Sequence, residues 1–300
     1  TSALDDGHSR AMYSAFASAQ LAYDEWLSLD ITARNDWSST LPKKNNSFFY
    51  PSASLSWVFS DFMRSIDHKL PSWITFAKLR VSAAQVGKDP APYNLYNVRK
   101  YQFEMGNRKP INNTIKLNAN LKPEIKTSYE VGVDMKFLDN RLGFDFTYYY
   151  NTTKNQAMLV DASSPWTQQW VNAGKINNTG VEFMLYGTPV KTRDFQFDIT
   201  ANLAHNSSTV KELADGVNRV YFAGDSNMPV KVGAVKGGKL GDIFANNLMQ
   251  RDAQGRVIIG ADGLPMAATG DGNLEQYLLD HPIGNIQPDL LMSITPTFTY

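Results

Sequence analysis

Apolar and polar side chains alternate along nine separate stretches of this chain. Ala15, Ala17, Ala19, Leu21 and Tyr23 are interleaved with Phe16, Ser18, Gln20 and Ala22; after Asp24-Glu25, Leu27, Leu29, Ile31 and Ala33 face Ser28, Asp30, Thr32 and Arg34. Phe49, Pro51, Ala53, Leu55, Trp57 and Phe59 alternate with serines, and Ala77, Leu79, Val81 and Ala83 with Lys78, Arg80, Ser82 and Ala84. The same pattern runs through Tyr129–Phe137, Leu142–Tyr150, Phe195–Leu203 and Leu290–Phe298, and more weakly through Val181–Tyr186. A period of two puts each set on one face of a strand. The pattern predicts nine strands, each near the roughly 9 to 11 residues that cross a bilayer at a tilt.

The connections sort into two kinds. Asp24-Glu25, Asp61–Ser72, Asp139-Asn140 and Thr188–Asp194 read as short turns; Ser38–Ser47, Lys88–Thr127, Thr152–Thr179 and His205–Pro288 read as long loops. They alternate along the chain, as periplasmic turns and external loops do in an outer-membrane barrel. Tyr23, Trp26, Trp57, Phe59, Phe137 and Phe195 lie beside the short turns, and Trp37, Phe49, Tyr148 and Tyr150 at the opposite strand ends. Two such girdles of rings fit the two interfaces of a membrane.

Hydropathy alone reads differently. No apolar run approaches the roughly 18 to 20 residues of a spanning helix, and the first residues lack the regions of a signal peptide, so the chain could pass for a soluble cytoplasmic protein. The strand period favours a barrel. Lys plus Arg equals Asp plus Glu at 29 each, which removes any long-range attraction for nucleic acid. The absence of cysteine excludes thiol catalysis, disulfides and thiolate zinc sites.

Several segments resemble one family. Phe49-Tyr50-Pro51-Ser52-Ala53-Ser54-Leu55-Ser56-Trp57, Leu79–Ala83, Asn120-Leu121-Lys122-Pro123-Glu124 running into Tyr129–Gly132, Asn140-Arg141-Leu142, Asn172-Ala173-Gly174 through Gly180-Val181-Glu182, and Ile283-Gly284-Asn285 with Pro288-Asp289 occur in the order of SusC/RagA-type TonB-dependent transporters. The resemblance covers roughly Phe49 to Tyr300. It implies an all-β transmembrane antiparallel barrel of 22 strands with a plug, of which residues 1–300 would supply about nine strands, the signal, plug and final strands lying outside this chain. It further implies active uptake of glycan oligosaccharides or peptides, with a SusD-like surface lipoprotein as lid and the TonB complex acting through N-terminal parts. A siderophore or cobalamin receptor of related architecture, or a porin or adhesin, remains the alternative.

Other chemistry is sparse. Gly233 to Lys239 nearly matches a phosphate loop but places Leu240 where a hydroxyl should bind Mg²⁺. His8, His68, His205 and His281 lack metal-ligand spacing, and Asp271-Gly272-Asn273 is too short for a calcium loop. No catalytic group, metal or cofactor is expected. Asp30, Arg34, Lys78, Arg80, Glu130, Asp134, Lys136 and Asp198, with Asp145 and Glu182, fall on the polar faces and would line a lumen. Trp166, Trp170, Tyr221, Phe222, Tyr96 and Tyr101 lie in the predicted external loops; flat rings beside amides and carboxylates suit the C–H faces of sugars.

Overall fold

The computed structural model describes residues 9–68, 70–97, 100–104, 107–111, 113–172, 174–223, 230–245, 248–268 and 274–300. Each of the nine predicted strands is present: β1 Met12–Tyr23, β2 Leu27–Ser38, β3 Ser47–Val58, β4 Ile74–Lys88, β5 Glu124–Phe137, β6 Leu142–Lys154, β7 Lys175–Lys191, β8 Gln196–Glu212 and β9 Leu291–Thr299. They form one nine-stranded sheet in which each strand neighbours the next in sequence. Most extend beyond the predicted ends, because alternation weakens there while the backbone ladder continues.

The register explains why the alternation is so strict. Leu21 stands opposite Leu29, which faces Leu55, then Val81, Val131, Tyr148 and Val181, an apolar row across seven strands. The adjacent row is Gln20, Asp30, Ser54, Ser82, Glu130, Tyr149 and Gly180. Residues in direct register share a face, so a slip of one residue would invert every strand. The apolar face carries exposed Leu21, Ile31, Leu55, Val81, Val131, Phe146 and Leu185. A contiguous apolar surface of this extent marks an interaction face.

Turns and loops take opposite ends of the sheet. At one end, Asp24 and Glu25 both have positive φ, as a tight hairpin requires. Leu138, Asp139 and Asn140 do the same between β5 and β6, and the Arg141 guanidinium donates to the carbonyls of Thr188 and Pro189 near the end of β7. The expected sorting by length does not hold throughout. The turn-end connection 59–73 is longer than the loop-end connection 39–46. The cause is a short helix, α1 (Phe59–Ser65), whose Phe59 and Phe62 pack on Trp57 and Trp26 and anchor a segment that would otherwise be a tight turn.

The main buried cluster of the wall lies at the loop end. Pro51 has no N–H to donate; β3 pairs with β2 as far as Ser47, but with β4 only from Ser52 onward. Beyond Pro51, Phe48 packs with Leu41 and the fully buried Leu121, with Tyr50 and Leu95 around them. Asn172 fixes this segment by accepting from the Lys122 amide (2.7 Å) and donating to the Lys122 and Asn155 carbonyls (2.8 and 2.9 Å). Two of the recognised motifs are thus loop clamps; Ala173 of the second lies outside the described residues.

Residues 208–288 form a second compact unit. The sequence marked His205–Pro288 as a long loop. It is ordered around an antiparallel sheet of Arg219–Ala223, Val230–Val235, Asp242–Ala245 and Gly284–Asn285. Bridges from Arg251 to Val257 and from Ile259 to Pro265 close two successive turns, a bridge from Met249 to Ala267 joins their outer ends, and a helix, α2 (Leu274–Asp280), follows. Gly233 to Lys239 is strand and turn: Val210 N–H donates to Gly238 O (2.9 Å) and Lys239 N–H to Asp242 Oδ2 (2.9 Å). A strand follows it where a phosphate loop needs a helix. Asp271-Gly272-Asn273 lies outside the described residues.

Candidate functional site

The polar face of the sheet collects the charged residues that the alternation singled out. Asp30 faces Gln20 and Ser54, Lys78 faces Asp134, Asp134 faces Asp145, and Glu130 faces Ser82 and Tyr149. Lys136 holds its ammonium 5.2 Å from the centre of the Phe76 ring. Asp198 accepts from Thr188 Oγ1 (2.6 Å) and Gln196 Nε2 (2.8 Å). Arg34 donates to Asp36 (2.8 Å) and Ser14 (3.1 Å), while Tyr50 Oη donates to the other Asp36 oxygen (2.6 Å). All eight residues share one face.

Parity did not reveal how far these side chains reach. Arg80 on β4 passes over Gly132 on β5 and donates to both carboxylate oxygens of Asp145 on β6 at 2.8 Å. A Cβ at Gly132 would stand 2.9 Å from the guanidinium. Tyr149 on β6 lies over Gly180 on β7 and donates to Asn206 on β8 at 3.2 Å. Tyr186 on β7 lies over Gly143 on β6, where an added Cβ would also come within 2.8 Å of the Met135 carbonyl. Glycine leaves the space these crossings need. The pair Arg80–Asp145 is partly exposed, so its own contribution is modest, on the order of 0 to 1 kcal/mol.

A second polar cluster, missed in the sequence, closes the loop end. Asp89, just past β4, accepts from Ser38 Oγ (2.5 Å), Thr40 Oγ1 (2.8 Å) and Arg10 (2.6 and 3.0 Å). Asp36, Ser38 and Thr40 are buried beside it. The signal was present: Asp36 and Ser38 continue the polar parity of β2 past Arg34.

The loop aromatics divide between the two units. The strand Gln168–Asn172, which carries Trp170, pairs with Ala157–Asp161 on one side and with Ile115–Lys116 on the other, and Trp166 precedes it. Asn97 beside Tyr96 donates to Ile115 O (2.8 Å) and accepts from Leu117 N (2.9 Å). Trp166, Trp170 and Tyr96 therefore belong to one loop assembly, Tyr96 exposed and the two tryptophans half-buried. Tyr101 sits on the separate hairpin of Lys100–Glu104 and Asn107–Ile111 with Arg108 5.0 Å above its ring. Tyr221, in the 208–288 unit, packs edge-on against Phe244 at 6.2 Å with Lys231 5.1 Å from its ring. The side chain of Phe222 lies outside the described residues.

A meander of bilayer-length strands, apolar on one face and charged on the other, with girdles of rings, is the wall of an outer-membrane β-barrel. Residues 2–235 match the family model "TonB dependent receptor-like, beta-barrel", and the chain belongs to that family. It is 27% identical over 290 residues to the TonB-dependent receptor SusC of Bacteroides thetaiotaomicron, covering 90% of this chain and 28% of that protein. It is 26% identical over 215 residues to the TonB-dependent receptor P3 of Formosa agariphila, covering 68% and 21%. The RagAB peptide transporter shares the fold, with a TM-score of 0.76 at 21% identity over 97% of this chain and 32% of that chain. The family is thus of the SusC/RagA kind, and this chain spans about a third or less of the length of these relatives.

Proposed function

We propose that this chain is part of the barrel wall of an outer-membrane importer energised through TonB, with a SusD-like lipoprotein closing its external mouth. The observation that carries this reading is the similarity to SusC along 90% of the chain, joined to a polar face built from ordered charges. The substrate class proposed is glycan oligosaccharide, with peptide as the other member; one solved relative is described as a peptide importer. The plug and the remaining strands would come from the rest of the receptor, since a nine-stranded sheet alone leaves two edges unpaired in lipid.

In this reading the polar face contacts the plug or the transport path, and the rings of Trp166, Trp170, Tyr221, Tyr96 and Tyr101 meet the substrate. Sugar rings offer C–H faces that stack on aromatic planes, while their hydroxyls take hydrogen bonds from amides such as Gln168 and Gln169. The test is oligosaccharide uptake by full-length receptors carrying Trp166→Ala, Trp170→Ala or Tyr221→Ala, with lipoprotein association measured in parallel. Reduced uptake with intact association is expected. Normal uptake in all three would assign the rings to loop packing, and lost association alone would assign them to the partner.

A further inference from the structure

We infer that the apolar face carries a binding groove for one acyl chain of a membrane glycerophospholipid, under helix α1 at the turn end. The floor of the groove is Leu27, Leu55, Leu79 and Val81 on β2, β3 and β4; Leu27 and Leu79 flank Trp57 in register, and Leu55 pairs with Val81. Trp26 and Trp57 form its walls. Phe62 reaches back from α1 to cover it, its ring centre 4.8 Å from that of Trp26 and 5.6 Å from that of Trp57. The groove is open on one side and holds a volume of about 250 Å³. That is several times the roughly 30 Å³ a water molecule occupies in the liquid, yet the lining is apolar, and such a space does not hold ordered water.

Two observations point to lipid as the occupant. The groove continues the apolar face of a membrane-barrel wall, so acyl chains already border it. Among its lining residues, the Trp26 indole Nε1 is buried and lacks a hydrogen-bond partner. A buried N–H without an acceptor is costly, and an ester carbonyl of a glycerolipid at the interface supplies one where indoles ordinarily sit. α1 therefore does more than close a turn. It converts a stretch of smooth wall into an open-sided slot with one buried N–H that lacks a partner.

That the lipid is a phospholipid rests on the proposed topology, in which the turn end faces the periplasm. The test uses the full-length receptor in detergent, with phosphatidylethanolamine titrated in and retained lipid counted by native mass spectrometry. Wild type is expected to retain one lipid. Leu79→Trp, which fills the slot, should lower its occupancy about tenfold, Trp26→Phe should lower it less, and Ile199→Trp on the same face should leave it unchanged. Heat-modifiable migration in gels checks that each variant is folded. Equal retention by wild type and Leu79→Trp, or none in wild type at saturation, overturns the groove. Retained lipid A together with outside labelling of a cysteine at Asn140 overturns the topology instead.

Discussion

Asp89 illustrates how much a single buried acid depends on its donors. Burial pushes its carboxyl up, but the hydroxyls of Ser38 and Thr40 and the charge of Arg10 together outweigh burial, so it ends below the usual aspartate range. A group whose folded pKa is depressed contributes stability above its unfolded value, and loses it as pH falls through the folded one. The joint between β2 and the start of the 89–123 loop is therefore expected to hold unchanged from neutral pH to about pH 5, and to loosen only below about pH 4. Protease resistance of the 39–46 connection, followed against pH in micelles, measures this. Opening near pH 6 would show that another group controls the joint. Asp89→Asn should weaken the connection at neutral pH and remove the acid step.

At the scale of elements, the two faces should differ sharply in tolerance. Leu29, Leu55, Val133 and Ile199 occupy the apolar face, and an Arg at the bilayer midplane there is expected to cost about 2 to 4 kcal/mol. Ser54 and Thr200, one residue away from Leu55 and Ile199 on the opposite face, should accept Arg at much lower cost. Denaturant unfolding of the refolded receptor in lipid compares them, and equal costs would contradict the assignment of faces. These faces were legible because burial on one side only imposes period two on the sequence. The elements of residues 208–288 were harder to read. Only Val230, Val232 and Ala234 alternate there, against Lys231, Gly233 and Val235, while the isolated bridges across 249–267 leave no period. The polar residues of the site were legible as a set, since parity fixes the face. Their partners were not, because Arg80 and Tyr149 act two strands away, a distance no local pattern encodes. The length of 59–73 misled for a similar reason: aromatic contacts made by Phe62 turned a turn into a helix.

For the whole molecule the decisive question is which end faces out. Turns at Asp24, Asp139 and Thr192 leave one end of the sheet, and the connections holding Ser163 and Asp262 leave the other. Single cysteines at Asn140 and Asp262 in intact cells, treated with a membrane-impermeant reagent, should label at Asp262 alone. Comparable labelling at Asn140 would reverse the orientation.

The crossings over glycine bear on how such a wall carries load. A sheet held only by its backbone ladders can shear: one strand slides two residues past its neighbour and finds an equivalent set of hydrogen bonds. Arg80 fastened to Asp145, and Tyr149 fastened to Asn206, tie strands that do not touch. They act as diagonal struts. Sliding β5 or β7 would drag a larger residue under the strut and strike it, so the glycines also serve as notches that lock the register. A force applied from inside the wall would then spread over three strands at a time.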